Sequence, residues 1–207
     1  MEHILSLSYG KDSMACFGAC DLLGWPIDRV VTVEVWATDT IPADLPQMVE
    51  FKAKADRIIK ERWGIEVEHV TAGRTFEDLF YRVYQQSKNP AKNGRIYGWP
   101  SRKGNWCTGE LKNRAVVKAK GEGCGNVRYL GIAADEPNRF HNLSPVSLSP
   151  LVELGWTEDD CWKWCEENDL LSPIYATATR GGGVGSVITK ESNSSGCLEE
   201  PILSCGR

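Results

Sequence analysis

The stretch Leu5-Ser-Leu-Ser-Tyr-Gly-Lys-Asp-Ser13 constrains the fold more than any other part of the chain. Apolar Ile4 and Leu5 lead into it, and a helical pattern of Met14, Ala15, Phe17, Leu22 and Leu23 follows. That is a strand, a tight loop and a helix in one short run. Such a loop turns its backbone N–H groups, and the positive end of the new helix, onto a phosphate. Gly10 lets the backbone approach a ligand with no Cβ in the way. Ser8 and Ser13 offer hydroxyls, and Lys11 supplies a point charge. The spacing differs from the P-loop of ordinary NTPases, which needs two glycines five apart before its Lys-Ser/Thr. A surface turn that carries a lysine is the competing reading.

At 207 residues, one α/β domain with a real core is the expectation. We place it at residues 1–180. The formal net charge is −4, which argues against a general nucleic-acid binder held by a basic surface and leaves room for local basic patches. With no long apolar run and no secretory leader, a cytoplasmic protein with no membrane partner is expected. The eight cysteines are then read as thiols, metal ligands or core residues rather than disulfides. Cys16 and Cys20, and again Cys161 and Cys165, are four apart and fit a buried stripe on one helix face.

Strands are expected at 30–35, 65–70 and 126–132, and helices at 13–24, 45–63, 75–86 and from 106 to about 120. A further helix should start after Thr157, with Asp160 completing a capping box. His69 falls on the polar phase of its strand. Asp39 follows the second strand, where open parallel sheets bind ligands, so it is a nucleotide-site candidate or else a turn residue. Residues 88–105 mix Lys88, Lys92, Arg95, Arg102 and Lys103 with Tyr97 and Trp99, and Trp106 follows directly. Basic residues interleaved with aromatics could hold an anionic, stackable ligand, a nucleotide or a nucleic-acid strand; a solvated insertion is the alternative.

Ser8-Tyr-Gly-Lys-Asp-Ser13 resembles the Ser-Gly-Gly-Lys-Asp-Ser pyrophosphate loop of the adenine nucleotide alpha hydrolases. That group includes N-type ATP pyrophosphatases, the small subunit of sulfate adenylyltransferase, phosphoadenosine phosphosulfate (PAPS) reductases and DNA phosphorothioation proteins. Tyr9 replaces the first glycine. Trp106-Cys-Thr-Gly-Glu-Leu-Lys112 is similar to a segment of the PAPS reductase-like branch that borders its substrate pocket. Asp135-Glu-Pro-Asn-Arg139 resembles an acidic–arginine block at a strand's carboxyl end, with Ala133 or Ala134 where the family has another arginine. The likeness runs on through Ser149-Pro-Leu to Tyr175.

The resemblance implies a three-layer fold, a mostly parallel sheet with helices on both faces. It implies nucleotide binding by Ser8, Tyr9, Gly10, Lys11, Asp12, Ser13 and Asp39. Lys11, Arg139 and Cys107 would be catalytic, with Lys112, Arg114, Asp135 and Glu136 touching phosphate, sulfate, ribose or Mg²⁺. The ligand would be ATP, or PAPS, with Mg²⁺. The reaction would be cleavage between the α- and β-phosphates, with transfer of AMP to an acceptor. The acceptor or partner protein would belong to sulfur metabolism or to sulfur modification of a nucleic acid. A thioredoxin-dependent PAPS reductase and a non-catalytic nucleotide-binding subunit are the alternatives.

From Gly181 the chain becomes polar and glycine-rich, and a flexible tail over 181–207 is expected. The family carries a Cys-x-x-Cys pair at this point. The genetic code permits such a pair in a shifted frame, so we expect a frameshift near Gly182; an intact coding frame would remove the idea. Clusters take four thiolates. With that pair missing, no iron–sulfur cluster is expected.

Overall fold

The computed structural model describes residues 1–100, 106–119, 125–141 and 143–177. The tail therefore lies outside the described residues, as do Arg102 and Lys103.

Five parallel strands make one sheet in the order β3-β2-β1-β4-β5. They are β1 (His3–Leu7), β2 (Arg29–Glu34), β3 (Val67–Thr71), β4 (Val127–Leu130) and β5 (Ser147–Leu148). The register sets Leu5 beside Val30 on one side and Tyr129 on the other. Alternation then sorts the two faces. Leu5, Leu7, Val30 and Tyr129 enter the main core with the helices α1 (Lys11–Leu23), α2 (Pro46–Trp63) and α7 (Glu158–Glu167), and with Leu151 of the short α6 (Pro150–Leu154). Ile4, Ser6, Val31 and Arg128 face the other way, toward Val116 and Ala119 of α4 (Arg114–Ala119). The three-layer expectation is met. Phe17, Met48 and Leu151 are fully buried, each stabilising the fold by roughly 1.5–3 kcal/mol over an exposed side chain.

α1 starts at Lys11, two residues before the expected position, and stops at Gly24, whose φ of 66° provides the left-handed cap. Gly18 has a steric reason: a Cβ there would lie 2.2 Å from Nε1 of Trp164 on α7. Cys16, Cys20, Cys161 and Cys165 are core residues, as their spacing predicts, and burial pushes the Cys20 and Cys165 thiols up to about 12. The Sγ of Cys165 donates to the Lys11 carbonyl at 3.2 Å, so α7 is tied to the first turn of α1.

Two expectations are corrected. The helix expected at 75–86 is only α3 (Phe76–Phe80). Its Thr75–Asp78 capping box is as expected, but beyond Tyr81 the backbone pairs with residues far ahead. Val83 bridges Ile96, and the Tyr84 N–H donates to Arg95 O at 2.9 Å. Long-range pairing overrides helical pattern here. β5 was not expected at all, since two residues carry no period. The remaining helical pieces are a 3₁₀ turn (Pro90–Lys92), a π-helical stretch (Thr108–Asn113), α5 (Pro137–Phe140) and α8 (Ile174–Thr177). Among the described residues no helix is long and apolar enough to cross a membrane.

Candidate functional site

In this strand order, β1 continues to β2 on one side and has β4 on the other, so the chain's direction of winding reverses between β1 and β4. Open α/β sheets bind ligands beyond the carboxyl ends of strands at such a point. The loop after β1 and the loop after β4 meet there. A Cβ on Gly131 would sit 2.4 Å from the Ser13 nitrogen and 2.6 Å from the Asp12 carbonyl carbon. Only glycine lets these two backbones touch.

The loop is fastened by its own hydroxyls. The Ser13 Oγ donates to Gly10 O at 3.0 Å and accepts from the Ser8 N–H at 3.1 Å. The Ser8 and Ser13 hydroxyls lie 3.0 Å apart. The Lys11 N–H, exposed in principle at the helix start, donates to the Tyr175 hydroxyl at 3.1 Å. Tyr9 has φ 56°, the left-handed conformation for which a glycine would be the easy choice. Its side chain leaves the loop and is 1 % exposed, and its hydroxyl donates to Asp56 Oδ1 of α2 at 2.6 Å. Asp56 Oδ2 lies 3.0 Å from His69 Nε2, and His69 Nδ1 lies 2.7 Å from Glu34 Oε1. The substituted tyrosine is thus a strut to α2 and β3. Beside it is a cavity of about 250 Å³, lined in part by Glu34, Trp36, Asp44, Lys52, Asp56 and His69.

Lys11 is nearly buried. Its Nζ donates to Asp12 Oδ1 at 2.8 Å and to Glu158 Oε2, in the first turn of α7, at 3.0 Å. Burial pulls the Lys11 pKa down, but the hydrogen bonds and charges of Asp12 and Glu158 outweigh it, and the net shift is upward. Burial raises the Asp12 carboxyl; Lys11 opposes this, and Glu158 and Glu136 reinforce it. The Glu158 N–H donates to Asp135 Oδ1 at 3.2 Å. Asp12, Asp135 and Glu158 are therefore linked around one lysine. Glu158 is the residue that sequence reading missed: its partner lies 147 positions away, and no local signal announces it.

The other expected site residues make contacts of their own. Arg139 binds both carboxylate oxygens of Glu136, at 2.8 and 2.7 Å, and is exposed. Asp39 is exposed in a turn in which the Thr38 hydroxyl accepts from the Thr40 and Ile41 amides. Cys107 is half-buried inside the helical run that begins at Trp106. Arg114 pairs with Glu110, and Lys112 is exposed. Arg114 thus shares Glu110 with Arg74 and Arg82. Among the described residues no group of three or more His, Cys, Asp or Glu has metal-binding geometry. A Mg²⁺ carried by nucleotide phosphates takes only one or two protein carboxylates.

No protein-family model matches the chain, and no curated protein sequence matches it. Among solved structures, the chain is similar to the U34-tRNA thiolase NcsA from Methanococcus maripaludis with its [4Fe-4S] cluster. Identity is 16 %, the TM-score is 0.43, and the match covers 94 % of this chain and 67 % of that one. One expectation is corrected by this finding. The absence of an iron–sulfur cluster was inferred by counting thiols, yet the similar chain carries one. Cys124, Cys197 and Cys205 lie outside the described residues.

Proposed function

We propose that the chain is an adenine-nucleotide-binding enzyme of the pyrophosphate-loop kind, which cleaves ATP between the α- and β-phosphates and passes AMP to an acceptor. The acceptor belongs to sulfur metabolism or to sulfur modification of a nucleic acid. One observation carries the reading: a hydroxyl-braced loop with a buried lysine opens a 13-residue helix at the winding reversal of a parallel sheet. That lysine is not idle charge. Glu158 and Asp12 hold it in place of a ligand anion, and a nucleotide phosphate would take over the position of the Glu158 carboxylate at Nζ. The loop amides and Lys11 then stabilise the charge that grows on departing pyrophosphate.

The test is pyrophosphate release from ATP, with and without candidate acceptors, for the native chain and Lys11→Ala. We expect loss of about a hundred-fold in turnover, the usual effect of removing one preorganised charge donor. Glu158→Gln, which leaves the lysine in place and removes its competitor, should tighten ATP binding by calorimetry. Sulfite release from PAPS would replace this reading with a reductase, and binding without turnover would replace it with a nucleotide-binding subunit. Equal turnover in the native chain and Lys11→Ala would end it.

A further inference from the structure

On the same edge of the sheet as the loop, residues 81–99 leave the domain and return. Their root is pinned at the carboxyl end of β2, where the Phe76 N–H donates to Trp36 O at 2.7 Å and the Glu77 N–H donates to Ala37 O at 3.0 Å. The stretches 74–100 and 106–114 hold seven Lys and Arg against three Asp and Glu, a formal +4 on a chain whose total is −4. The charge is gathered. Arg74, Arg82 and Arg114 all approach the single Glu110 Oε2, at 3.6, 4.0 and 3.2 Å. With Asp78 also acting on Arg74, three guanidinium groups still outnumber the two carboxylates beside them, and an incoming anion relieves that excess. Lys88, Lys92 and Arg95 are exposed on the same excursion.

Rings accompany the charges. Tyr84 and Tyr97 lie 4.1 Å apart between centroids, with Lys92 over the first and Arg82 over the second. Trp99 packs one side against Phe76 and Phe80, at 5.6 and 5.2 Å, yet is 70 % exposed. Tyr81 is 61 % exposed. The indole N–H of Trp106, also against Phe76, is buried with no hydrogen-bond partner among the described residues. A large ring in contact with two phenyl rings and otherwise exposed suits a flat, hydrophobic guest. A cluster of excess guanidinium beside it suits phosphate.

We propose that this surface binds an unpaired nucleic-acid strand, with bases stacking on Trp99 and Tyr81 and backbone phosphates meeting Arg74, Arg82 and Arg114. The proposal names the acceptor class for the reaction given above, but strand binding itself needs no ATP. Charge complementarity favours a strand, because a formal +4 over these stretches matches a backbone that carries a phosphate at every nucleotide. An unpaired strand is favoured over a duplex, because stacking platforms need free base faces.

The experiment is fluorescence anisotropy of labelled oligothymidine with the full chain, nucleotide-free, across a series of salt concentrations. Binding should weaken linearly in log–log form with salt. Trp99→Ala should weaken it about ten-fold, within the range for one lost base stack. Arg82→Ala should also weaken binding and reduce the salt slope by about one. Lys11→Ala should bind the strand as the native chain does, so a failed strand test and a failed ATP test are separable. Both surface variants should keep the native melting curve and ATP affinity. No binding at low salt, equal binding by Trp99→Ala and the native chain, or displacement by duplex as readily as by single strand would overturn the proposal.

Discussion

The loop after β1 and the excursion at 81–99 share one edge of the sheet and differ in what defines them. At the loop, backbone does most of the defining: a glycine where two chains touch, a left-handed residue at Tyr9, amides and hydroxyls turned onto one another. Its lysine, Lys11, is nearly buried and already matched. At the excursion the backbone is held by a few cross-chain amide bonds, and the chemistry lies in exposed rings and in guanidinium groups that outnumber their carboxylates. A backbone-built site demands particular residues and leaves a motif. A side-chain surface demands only a composition.

The largest effect that would break this contrast is at Gly131. Gly131→Ala places a methyl group inside the backbone of Asp12 and Ser13, and should cost about 3 kcal/mol, from overpacking that neither segment can relieve. Thermal melting would show a drop of roughly 10 °C; an unchanged melt would mean that the two loops are not in contact. The exposed Trp99→Ala should by contrast shift the melt by little, since surface changes are usually within about 0.5 kcal/mol.

A smaller effect is expected at the strut. Tyr9→Phe removes the hydroxyl that reaches Asp56 and should destabilise by about 1 kcal/mol in urea unfolding. ATP affinity should fall with it, because Tyr9 holds the loop's left-handed turn. Full stability together with native affinity would show that the hydroxyl is dispensable and would weaken the view that side chains brace this loop from behind.

The smallest effect should be the same in both regions. Asp78 caps α3 at the foot of the excursion, and Asp160 caps α7 beside Glu158. The Thr75 backbone N–H lowers the Asp78 pKa, and the Thr157 hydroxyl, with its N–H, lowers that of Asp160. A carboxyl lowered in the folded state contributes stability above its unfolded value of about 3.9, and this is lost as pH falls through the folded value. Urea midpoints should therefore be level near neutrality and decline below about pH 4. Asp78→Asn and Asp160→Asn should each make that decline shallower. A response from Asp160→Asn alone would show that the excursion's root is not cooperatively folded with the rest.

Much of this was legible beforehand, for identifiable reasons. β1 announces itself through the apolar pair before the loop, β2 through a β-branched run and α2 through helical period, and Gly24 and Gly64 end α1 and α2 in left-handed caps. The loop was legible because its residues are consecutive. What was not legible depends on distance along the chain. Nothing near Tyr9 points to Asp56, 47 positions on, and nothing near Lys11 points to Glu158. The helix at 75–86 was overdrawn because Val83 answers to Ile96 rather than to its own turn. The resemblance offers Lys112 and Arg114 as phosphate or sulfate contacts, because its motif borders a substrate pocket. In the structure, Arg114 keeps company with Arg74 and Arg82, which no motif mentions.

The touching of Gly131 and Ser13 has one more consequence. The close approach seats the turn after the first strand against the strand end that leads to Asp135, whose carboxylate accepts from the first turn of α7. Turn, strand end and helix front therefore meet through backbone at a single glycine and one amide bond.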